Sequence, residues 1–228
     1  MKNDPEPGLR ARKHARTKLA LLDAFVERLA SKPLDEVPVR EICEAVGVSQ
    51  PTFFNYFEGK ADLLVYFVQL WSVEQGAAAH ADLERDGAVA AIRGIYRRTA
   101  DAFVAHPRII AEIFAAQAQR EAPPRVHEIG LAERLERYAD LEGAADLPAL
   151  GLDSLLPNLI QHAVERGELP ATTNTALLFL TLSSVFFGTP IALRPQPEAL
   201  ATAWDAQLDL IFGALASLPP SPRQGAGS

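Results

Sequence analysis

Residues 39–60 read VREICEAVGVSQPTFFNYFEGK, and this stretch predicts two short helices joined by a tight turn. Gly47 follows the first helix, where the chain needs a left-handed backbone conformation that glycine adopts at the lowest cost. Ser49 is a good N-cap for the second helix, because its hydroxyl can accept a hydrogen bond from an otherwise unpaired N–H group. Pro51 falls in the first turn, where its missing N–H group removes no hydrogen bond. The stretch is therefore typical of a helix-turn-helix.

The second of these helices is expected to have one apolar and one polar face. Phe53 and Phe57 are four residues apart and are predicted to face the protein interior. The opposite face carries hydrogen-bonding side chains, namely Gln50, Thr52, Asn55 and Tyr56. Such a helix fits the major groove of B-DNA, which is ~12 Å wide and displays base edges that Gln, Asn and Thr can contact. Tyr56 and Lys60 are expected at phosphate oxygens, and Arg40 at a phosphate or a guanine.

The charge distribution bears on whether this unit binds DNA or is a helical hairpin with a solvated polar face. The formal net charge of the chain is −7, which by itself disfavours a polyanionic partner. Residues 1–18 nevertheless hold six basic and two acidic groups, a local +4, whereas residues from 61 onward hold 12 Arg against 20 Asp and Glu. Salt screens charges beyond about 10 Å, so a phosphate responds to the local basic segment. The distribution is compatible with DNA binding; a basic arm without a partner is the alternative.

Outside this stretch, apolar residues recur at three- and four-residue spacing, and the alternating runs typical of strands do not occur. Glycines and prolines divide the pattern into about nine helices. They are expected near residues 16–31, 38–46, 50–57, 60–79, 88–105, 107–122, part of 125–141, 152–166, 173–193 and 197–218. The sequence predicts an all-α protein with a three-helix helix-turn-helix domain at its N-terminal end.

Residues 16–71 resemble the DNA-binding domain of the TetR family of transcriptional regulators. In that family the pattern V-R-x-I-A-x-x-A-G-V-S is followed by T-x-Y-x-Y-F-x-x-K-x-x-L, and here the corresponding stretches are VREICEAVGVS and TFFNYFEGKADL. The resemblance implies DNA contacts from residues in and around the second short helix, which are Arg40, Ser49, Gln50, Pro51, Thr52, Phe54, Asn55, Tyr56 and Lys60. The chain departs from the family pattern at Pro33, Pro38, Cys43 and Phe54. Phe54 lacks the hydroxyl of the usual tyrosine, which can remove one phosphate contact.

The resemblance also implies how the chain is divided. Residues 1–15 are expected to be a basic, flexible arm and residues 16–60 the helix-turn-helix DNA-binding domain. Residues 61–218 correspond to a helical domain that binds a small-molecule effector and forms a homodimer, and residues 219–228 are predicted to be disordered. Two-fold symmetry would place the two reading helices about 34–36 Å apart, or a multiple of that distance, on a near-palindromic site.

Two sets of residues in the helical domain are candidates for these further functions. The dimer candidates form apolar stripes on the last two helices, and they are Leu178, Leu182, Val185, Phe186, Trp204, Leu208, Ile211 and Leu215. The ligand candidates are aromatic, and they are Trp71, Tyr96, Phe103 and Phe114. The alternatives are that the last two helices pack only on their own protomer and that the aromatic residues belong to the core.

Other classes of function find no support in the sequence. The motifs HExxH, GxSxG and the Walker-type loop are absent, and the five histidines lack metal-ligand spacing, so we expect no enzyme, metal or cofactor. The uncharged stretch 169–193 is interrupted by hydroxyl side chains and by Pro190, which predicts a buried helix and no membrane partner. A single cysteine and the lack of a signal-peptide pattern predict a cytoplasmic location.

Two functional hypotheses follow. The first is a homodimeric transcriptional regulator, in its simplest form a repressor that a small-molecule ligand releases from a near-palindromic operator. The second is a helical ligand- or protein-binding module whose helix-turn-helix no longer binds DNA. The sequence does not distinguish a repressor from an activator, and it identifies neither the effector nor the operator.

Overall fold

The computed structural model describes residues 7–118, 129–139 and 152–217. Over these residues the regular structure is entirely helical, which confirms the predicted fold class. The helices are α1 (Leu9–Leu29), α2 (Val39–Val46), α3 (Gln50–Phe54), α4 (Lys60–Asp86), α5 (Ala88–Ala105), α6 (Pro107–Ala118), α7 (Leu131–Arg137), α8 (Leu152–Glu165), α9 (Thr175–Ala192) and α10 (Leu200–Ala216). Short 3₁₀ helices cover Leu34–Glu36 and Pro197–Ala199. The tail at 219–228, predicted to be disordered, lies outside the described residues.

The predicted helix boundaries differ most from the structure at the end of α4, which runs to Asp86 and not to near residue 79, and at the start of α1. Helix α1 begins at Leu9 and not near Arg16, so the second half of the predicted basic arm is helical. No acidic residue or side-chain cap marks the start, because Gly8 is the N-cap and makes no side-chain hydrogen bond. The sequence therefore carries no conventional start signal at this point.

The chain folds into two compact units, and neither is continuous in sequence. The first unit combines Met1–Glu74 with His106–Gly151, and the second combines Gln75–Ala105 with Leu152–Ser228. The first unit therefore contains α6 and α7 in addition to the helix-turn-helix. Helical periodicity marks where a helix ends, but it does not say which helices share a core.

In the first unit, α1 packs against α2, α6 and α7. The side of α1 that faces them buries its large apolar residues, among them Leu21, Leu22, Phe25 and Leu29. The contact with α7 is also polar. Arg16 Nε lies 2.8 Å from Glu136 Oε1, and Arg137 Nη1 lies 2.7 Å from Asp23 Oδ1.

The centre of the α1–α7 contact is a buried cluster that we call the Glu133 cluster, formed by Lys18, Tyr66 and Glu133. Lys18 Nζ and the Tyr66 hydroxyl both donate to Glu133 Oε1, at 2.7 and 2.5 Å, and the Lys18 ammonium lies 4.0 Å from the Tyr66 ring centroid. The other oxygen, Glu133 Oε2, accepts from the Gly130 N–H group at 2.9 Å. Burial and the adjacent Glu133 carboxylate raise the pKa of Tyr66 above its usual range. The cluster joins α1, α4 and α7 through one carboxylate.

The core of the second unit is aromatic. Tyr96 on α5 packs edge-on against Phe186 and Trp204, with ring centroids 5.3 and 5.2 Å apart, and Phe186 stacks on Trp204. The Tyr96 hydroxyl donates to Leu182 O at 2.7 Å, and Trp204 Nε1 donates to Val185 O at 3.1 Å. Aromatic pairs of this geometry contribute beyond the area that they bury. They fix α9 and α10 against α5.

Two side chains of the loop after α8 bind the two helix ends that meet at the α4–α5 turn in the second unit. Both carboxylate oxygens of Glu168 accept from the first N–H groups of α5, those of Ala88 and Val89, at 2.8 and 2.9 Å. Arg166 Nη1 donates to Leu83 O in the last turn of α4 at 2.9 Å. A carboxylate at a helix N-terminus and a cation at a C-terminus both oppose the helix dipole favourably. The turn itself needs glycine, since Gly87 has φ 95°.

Helix α9 has no polar side, and the structure buries most of the residues that the sequence predicts at a dimer interface within one chain. Five of the eight candidates are buried within the second unit, and they are Leu178, Leu182, Phe186, Trp204 and Leu208. These side chains are therefore covered within one chain. The exposed apolar side chains of α9 and α10 are others, namely Leu177, Leu180, Phe187, Ile191 and Leu210. A helix without a polar face gives no sequence signal for which side turns inward.

Among the described residues, α9 is also the one helix that is long and apolar enough to cross a membrane by length and composition. Its mean hydropathy over Thr175–Ala192 is 1.7, and 28 % of this window is buried within the chain. Its contacts include polar ones, since Thr189 Oγ1 donates to Gln207 Oε1 of α10 at 2.8 Å.

Candidate nucleic-acid interface

The turn between α2 and α3 has the geometry that its sequence predicts. Gly47 ends α2 with φ 72°, in the left-handed region. The N–H group of Val48 then reaches back to Cys43 O at 3.0 Å, and that of Gly47 to Glu44 O at 3.3 Å. These bonds satisfy carbonyl groups at the helix end that would otherwise lack partners. The glycine prediction is confirmed.

Helix α3 starts as predicted. Ser49 is the N-cap, and its hydroxyl oxygen accepts from the Thr52 N–H group at 3.2 Å. The Ser49 and Thr52 hydroxyls also share a hydrogen bond at 2.8 Å. Pro51 occupies the first turn. Capping therefore orders the start of this short helix, which propensity alone would not stabilise.

Phe53 and Phe57 form the buried base of α3, as their spacing predicts. Their side chains are 0 and 1 % exposed, with ring centroids 5.8 Å apart. Phe57 in turn packs on Tyr66 of α4, at 5.5 Å between centroids. These contacts fix the rotation of α3 about its axis, so the opposite side of the helix points to solvent.

The solvent-facing side of α3 and its N-cap carries most of the predicted DNA-contacting residues. Those that are exposed are Ser49, Gln50, Pro51, Phe54 and Asn55. Thr52 and Tyr56 are half-buried. Phe54 is unusual among them because it is apolar and still 54 % exposed. We call this surface the α3 face.

The two predicted cationic contacts, Arg40 and Lys60, have protein partners in this structure. Arg40 is exposed on α2 and pairs with Glu44 one turn later, Nε to Oε1 at 2.8 Å. The Lys60 ammonium donates to Leu34 O at 2.7 Å and to Asp35 O at 3.1 Å. Nothing in the sequence indicates that Lys60 ties the start of α4 to the α1–α2 linker, because backbone carbonyl acceptors leave no trace in a residue pattern.

One neighbour of the α3 face was not predicted from the sequence. The His14 ring of α1 lies 4.6 Å from the Tyr56 ring, centroid to centroid, at an interplanar angle of 45°. His14 is exposed. It brings the N-terminal half of α1, which is rich in basic residues, next to the end of α3.

The four aromatic ligand candidates fall into different units. Trp71 and Phe114 belong to the first unit, where both are half-buried, and Tyr96 and Phe103 belong to the second. Tyr96 is 1 % exposed, its hydroxyl is bonded to a backbone carbonyl, and Phe103 packs on Trp204 at 6.4 Å between ring centroids. Within the second unit these two rings are therefore part of the aromatic core.

The described residues contain no group of three or more His, Cys, Asp or Glu side chains arranged to hold a metal ion. The one cysteine, Cys43, is buried on α2, and burial raises the pKa of its thiol. It packs in the helix-turn-helix core as a small apolar side chain.

Two short helices with a left-handed glycine turn, a buried aromatic base and an exposed polar face define a helix-turn-helix of the DNA-binding class. Residues 21–67 match the family model described as bacterial regulatory proteins, tetR family. The segment that contains the whole motif therefore matches the tetR family, and the resemblance predicted from the sequence is confirmed. None of the curated proteins compared with the chain matches it.

Solved structures of such regulators share the fold along nearly the whole chain. The Thermus thermophilus FadR, a TetR-family transcriptional repressor in complex with lauroyl-CoA, is 18 % identical, with a TM-score of 0.64 over 92 % of this chain and 100 % of that one. The Bacillus subtilis regulator FadR with stearoyl-CoA is 14 % identical, with a TM-score of 0.61 over 88 % and 99 %. RolR with resorcinol is 19 % identical, with a TM-score of 0.54 over 93 % and 98 %. At these identities the likeness concerns the fold.

Proposed function

We propose that this chain is a homodimeric, cytoplasmic transcriptional regulator without enzymatic activity, a repressor that a small-molecule effector releases from a near-palindromic operator. The observation that carries the proposal is the α3 face, an exposed polar surface on a helix whose rotation is fixed by buried Phe53 and Phe57. A helix without a binding partner would not need both a fixed orientation and exposed hydrogen-bonding side chains.

Sequence readout is assigned to Gln50 and Asn55, with apolar contributions from Phe54 and Thr52. Gln and Asn side chains can form two hydrogen bonds to an adenine edge in the major groove. The exposed Phe54 ring and the Thr52 methyl group can contact thymine methyl groups. Ser49 and Pro51 form the start of the helix. They are sequence neighbours of Gln50 and Thr52 and are assigned to the same stretch of DNA.

Phosphate contacts are assigned to Tyr56, Arg40 and Lys60. An ammonium group has three donors, and Lys60 uses two on Leu34 O and Asp35 O, which leaves one for a phosphate. Lys60 would then hold the α1–α2 linker and the DNA backbone together. Arg40 can exchange its exposed bond to Glu44 for a phosphate at little cost, because surface ion pairs contribute ~0–1 kcal/mol.

Dimerisation is assigned to the uncovered side of α9 and α10. An open groove of about 650 Å³ runs along this side, and large apolar side chains such as Leu180 and Ile191 are 60 and 62 % exposed. A contiguous exposed apolar surface marks an interaction site. A second copy of the same helices would cover it, and the half-buried candidates Val185, Ile211 and Leu215 would border the contact. This explanation of the apolar α9 requires no membrane.

The effector is expected to be a small organic molecule. The FadR structures hold acyl-CoA ligands and the RolR structure holds resorcinol, which supports a ligand-responsive role for a chain of the same fold. Trp71, Tyr96, Phe103 and Phe114 remain the candidate ligand-contacting residues. Trp71 and Phe114 are stronger candidates than the other two, since they are less buried in their own unit.

The proposal is tested first by replacing Gln50 with alanine. Binding of the wild-type chain is first sought in the DNA that flanks its own gene. Operator sequences are then selected with the wild-type chain from random duplexes. We expect Gln50→Ala to lose about 1–3 kcal/mol of discrimination at one base pair in each half-site, because a bidentate base contact contributes that much. Fluorescence anisotropy with single-base operator variants measures the loss.

The matched control is Gln196→Ala, the same substitution at an exposed position in the second unit. It should leave base preference unchanged. An unaltered preference in Gln50→Ala removes Gln50 from the readout residues. If the wild-type chain selects no sequence and shifts no duplex, the regulator proposal is wrong and a helical ligand- or protein-binding module is the remaining hypothesis.

The dimer is tested by Leu180→Glu, which places a charge on the uncovered side of α9. We expect sedimentation of the wild-type chain as a dimer and of Leu180→Glu as a monomer, because burying an unpaired carboxylate costs several kcal/mol. The variant should lose at least tenfold in affinity for the full operator and keep its affinity for a half-site. Val104→Glu, at a 60 % exposed apolar position on α5, is the control and should remain dimeric. A monomeric wild-type chain would contradict the assignment.

A further inference from the structure

The first turns of α1 concentrate positive charge in a chain that is acidic overall. Residues 7–18 contain five Arg and Lys residues and no Asp or Glu. Three of the five have protein partners: Arg12 Nε donates to Pro7 O, Arg16 pairs with Glu136, and Lys18 pairs with Glu133. Arg10 and Lys13 are exposed and form no ion pair with any residue that the structure describes. Among the described residues they are therefore the exposed cations of this segment that no carboxylate neutralises.

Arg10, Lys13 and His14 lie on the same side of α1, because residues three and four apart are neighbours on a helix surface. His14 contacts Tyr56, the second residue after the end of α3. The basic side of α1 is thus adjacent to the α3 face within one compact unit. The N-terminal end of α1 adds to the positive potential here, since Gly8 provides no side-chain cap and the first turn holds no acidic residue.

We propose that Arg10 and Lys13 bind backbone phosphates of duplex DNA beside the bases that α3 contacts, and that His14 positions Tyr56 for the same backbone. This inference rests on the proposed function and extends its DNA site to a second helix. Phosphate is the favoured partner because the two cations border a surface that already presents base-reading groups. Contacts of this kind set affinity and register without reading sequence.

The decisive measurement is the salt dependence of operator binding by Arg10→Ala/Lys13→Ala. Each phosphate contact contributes about −0.9 to the slope of log K against log salt, so a dimer that loses four contacts should lose about 3–4 from the slope. When the salt concentration rises from 50 to 200 mM, both chains lose affinity. The fold-loss of the wild type should be on the order of 100 times the fold-loss of this variant. Its base preference should be unchanged.

The matched control is Arg85→Ala/Arg97→Ala, which removes two charges from exposed positions in the second unit. It should keep the wild-type slope, which separates a local phosphate contact from a change in net charge. Equal slopes in Arg10→Ala/Lys13→Ala and the wild type would overturn the proposal. If the wild-type chain binds no DNA at all, the proposed function itself fails, which is a different result from an unchanged slope.

Two further readouts sharpen the test. His14→Ala should lower operator affinity several-fold with an unchanged salt slope, and His14→Phe should restore it, because an aromatic ring at this position keeps the contact with Tyr56. Equal affinity in all three chains would remove His14 from the proposal. Vesicles containing anionic phospholipid are the second probe. Binding of the wild type that depends on Arg10 and Lys13, together with an unchanged DNA slope, would assign the patch to membranes and overturn the DNA assignment.

Discussion

Replacing Phe53 by alanine is expected to destabilise the first unit by about 3–5 kcal/mol and to abolish operator binding. The ring is fully buried and packs on Phe57, so its removal leaves a cavity beneath α3 in addition to the lost apolar burial. Helix α3 spans only Gln50–Phe54, too short to persist without this anchor. Urea unfolding at a fixed protein concentration gives the stability change, and anisotropy with a labelled operator gives the affinity.

The adjacent residue provides the control for stability. Phe54→Ala removes the same side chain from a position that is 54 % exposed, so we expect a stability change below about 1 kcal/mol. Its operator affinity should fall, since Phe54 belongs to the α3 face. A Phe53→Ala chain with the unfolding midpoint and affinity of the wild type would mean that Phe53 does not anchor α3.

Removing the carboxylate of the Glu133 cluster is the second change with a large expected effect. In Glu133→Leu, the buried Lys18 ammonium loses its counter-charge and the Tyr66 hydroxyl loses its acceptor. Breaking a buried ion pair from one side typically costs about 3–5 kcal/mol. Lys18→Met/Glu133→Leu removes both charges and should recover most of this loss, and adding Tyr66→Phe should recover more. Urea unfolding of the wild type, Lys18→Met, Glu133→Leu and the double variant completes a double-mutant cycle.

An exposed pair between the same two helices is the comparison. Glu136→Ala breaks the bond to Arg16, whose side chain is 68 % exposed, and should cost less than about 1 kcal/mol. If Glu133→Leu costs no more than Glu136→Ala, the cluster does not stabilise the first unit. If the double variant is as unstable as Glu133→Leu, lost packing and not the unpaired charge explains the effect.

Local features of the fold could be predicted because they depend on neighbours in sequence. The left-handed turn at Gly47, the cap at Ser49 and the buried pair Phe53 and Phe57 each follow from spacing over a few residues, and each is observed. The ends of most helices follow in the same way from glycine and proline, such as Gly87 before α5.

Features that depend on distant partners could not be predicted. Lys18 and Glu133 are 115 positions apart, and nothing in the sequence around either residue indicates the other. The prediction that Lys60 contacts phosphate did not foresee its bonds to Leu34 O and Asp35 O. The dimer stripe predicted from the sequence includes residues such as Leu182 that are buried within one chain. Because α9 has no polar side, only the packed structure distinguishes the covered side.

The first unit is built from two separate parts of the chain, which limits how freely its helix-turn-helix could be exchanged between proteins. Ribosomes add about 5–20 residues per second, so Lys18 is made on the order of 10 s before the carboxylate that neutralises it. A chimera that joined only residues 7–74 to another helical domain would contain the buried Lys18 ammonium without the Glu133 carboxylate that neutralises it. In a functional recombinant of this fold, α1 and α7 should therefore come from the same parent sequence.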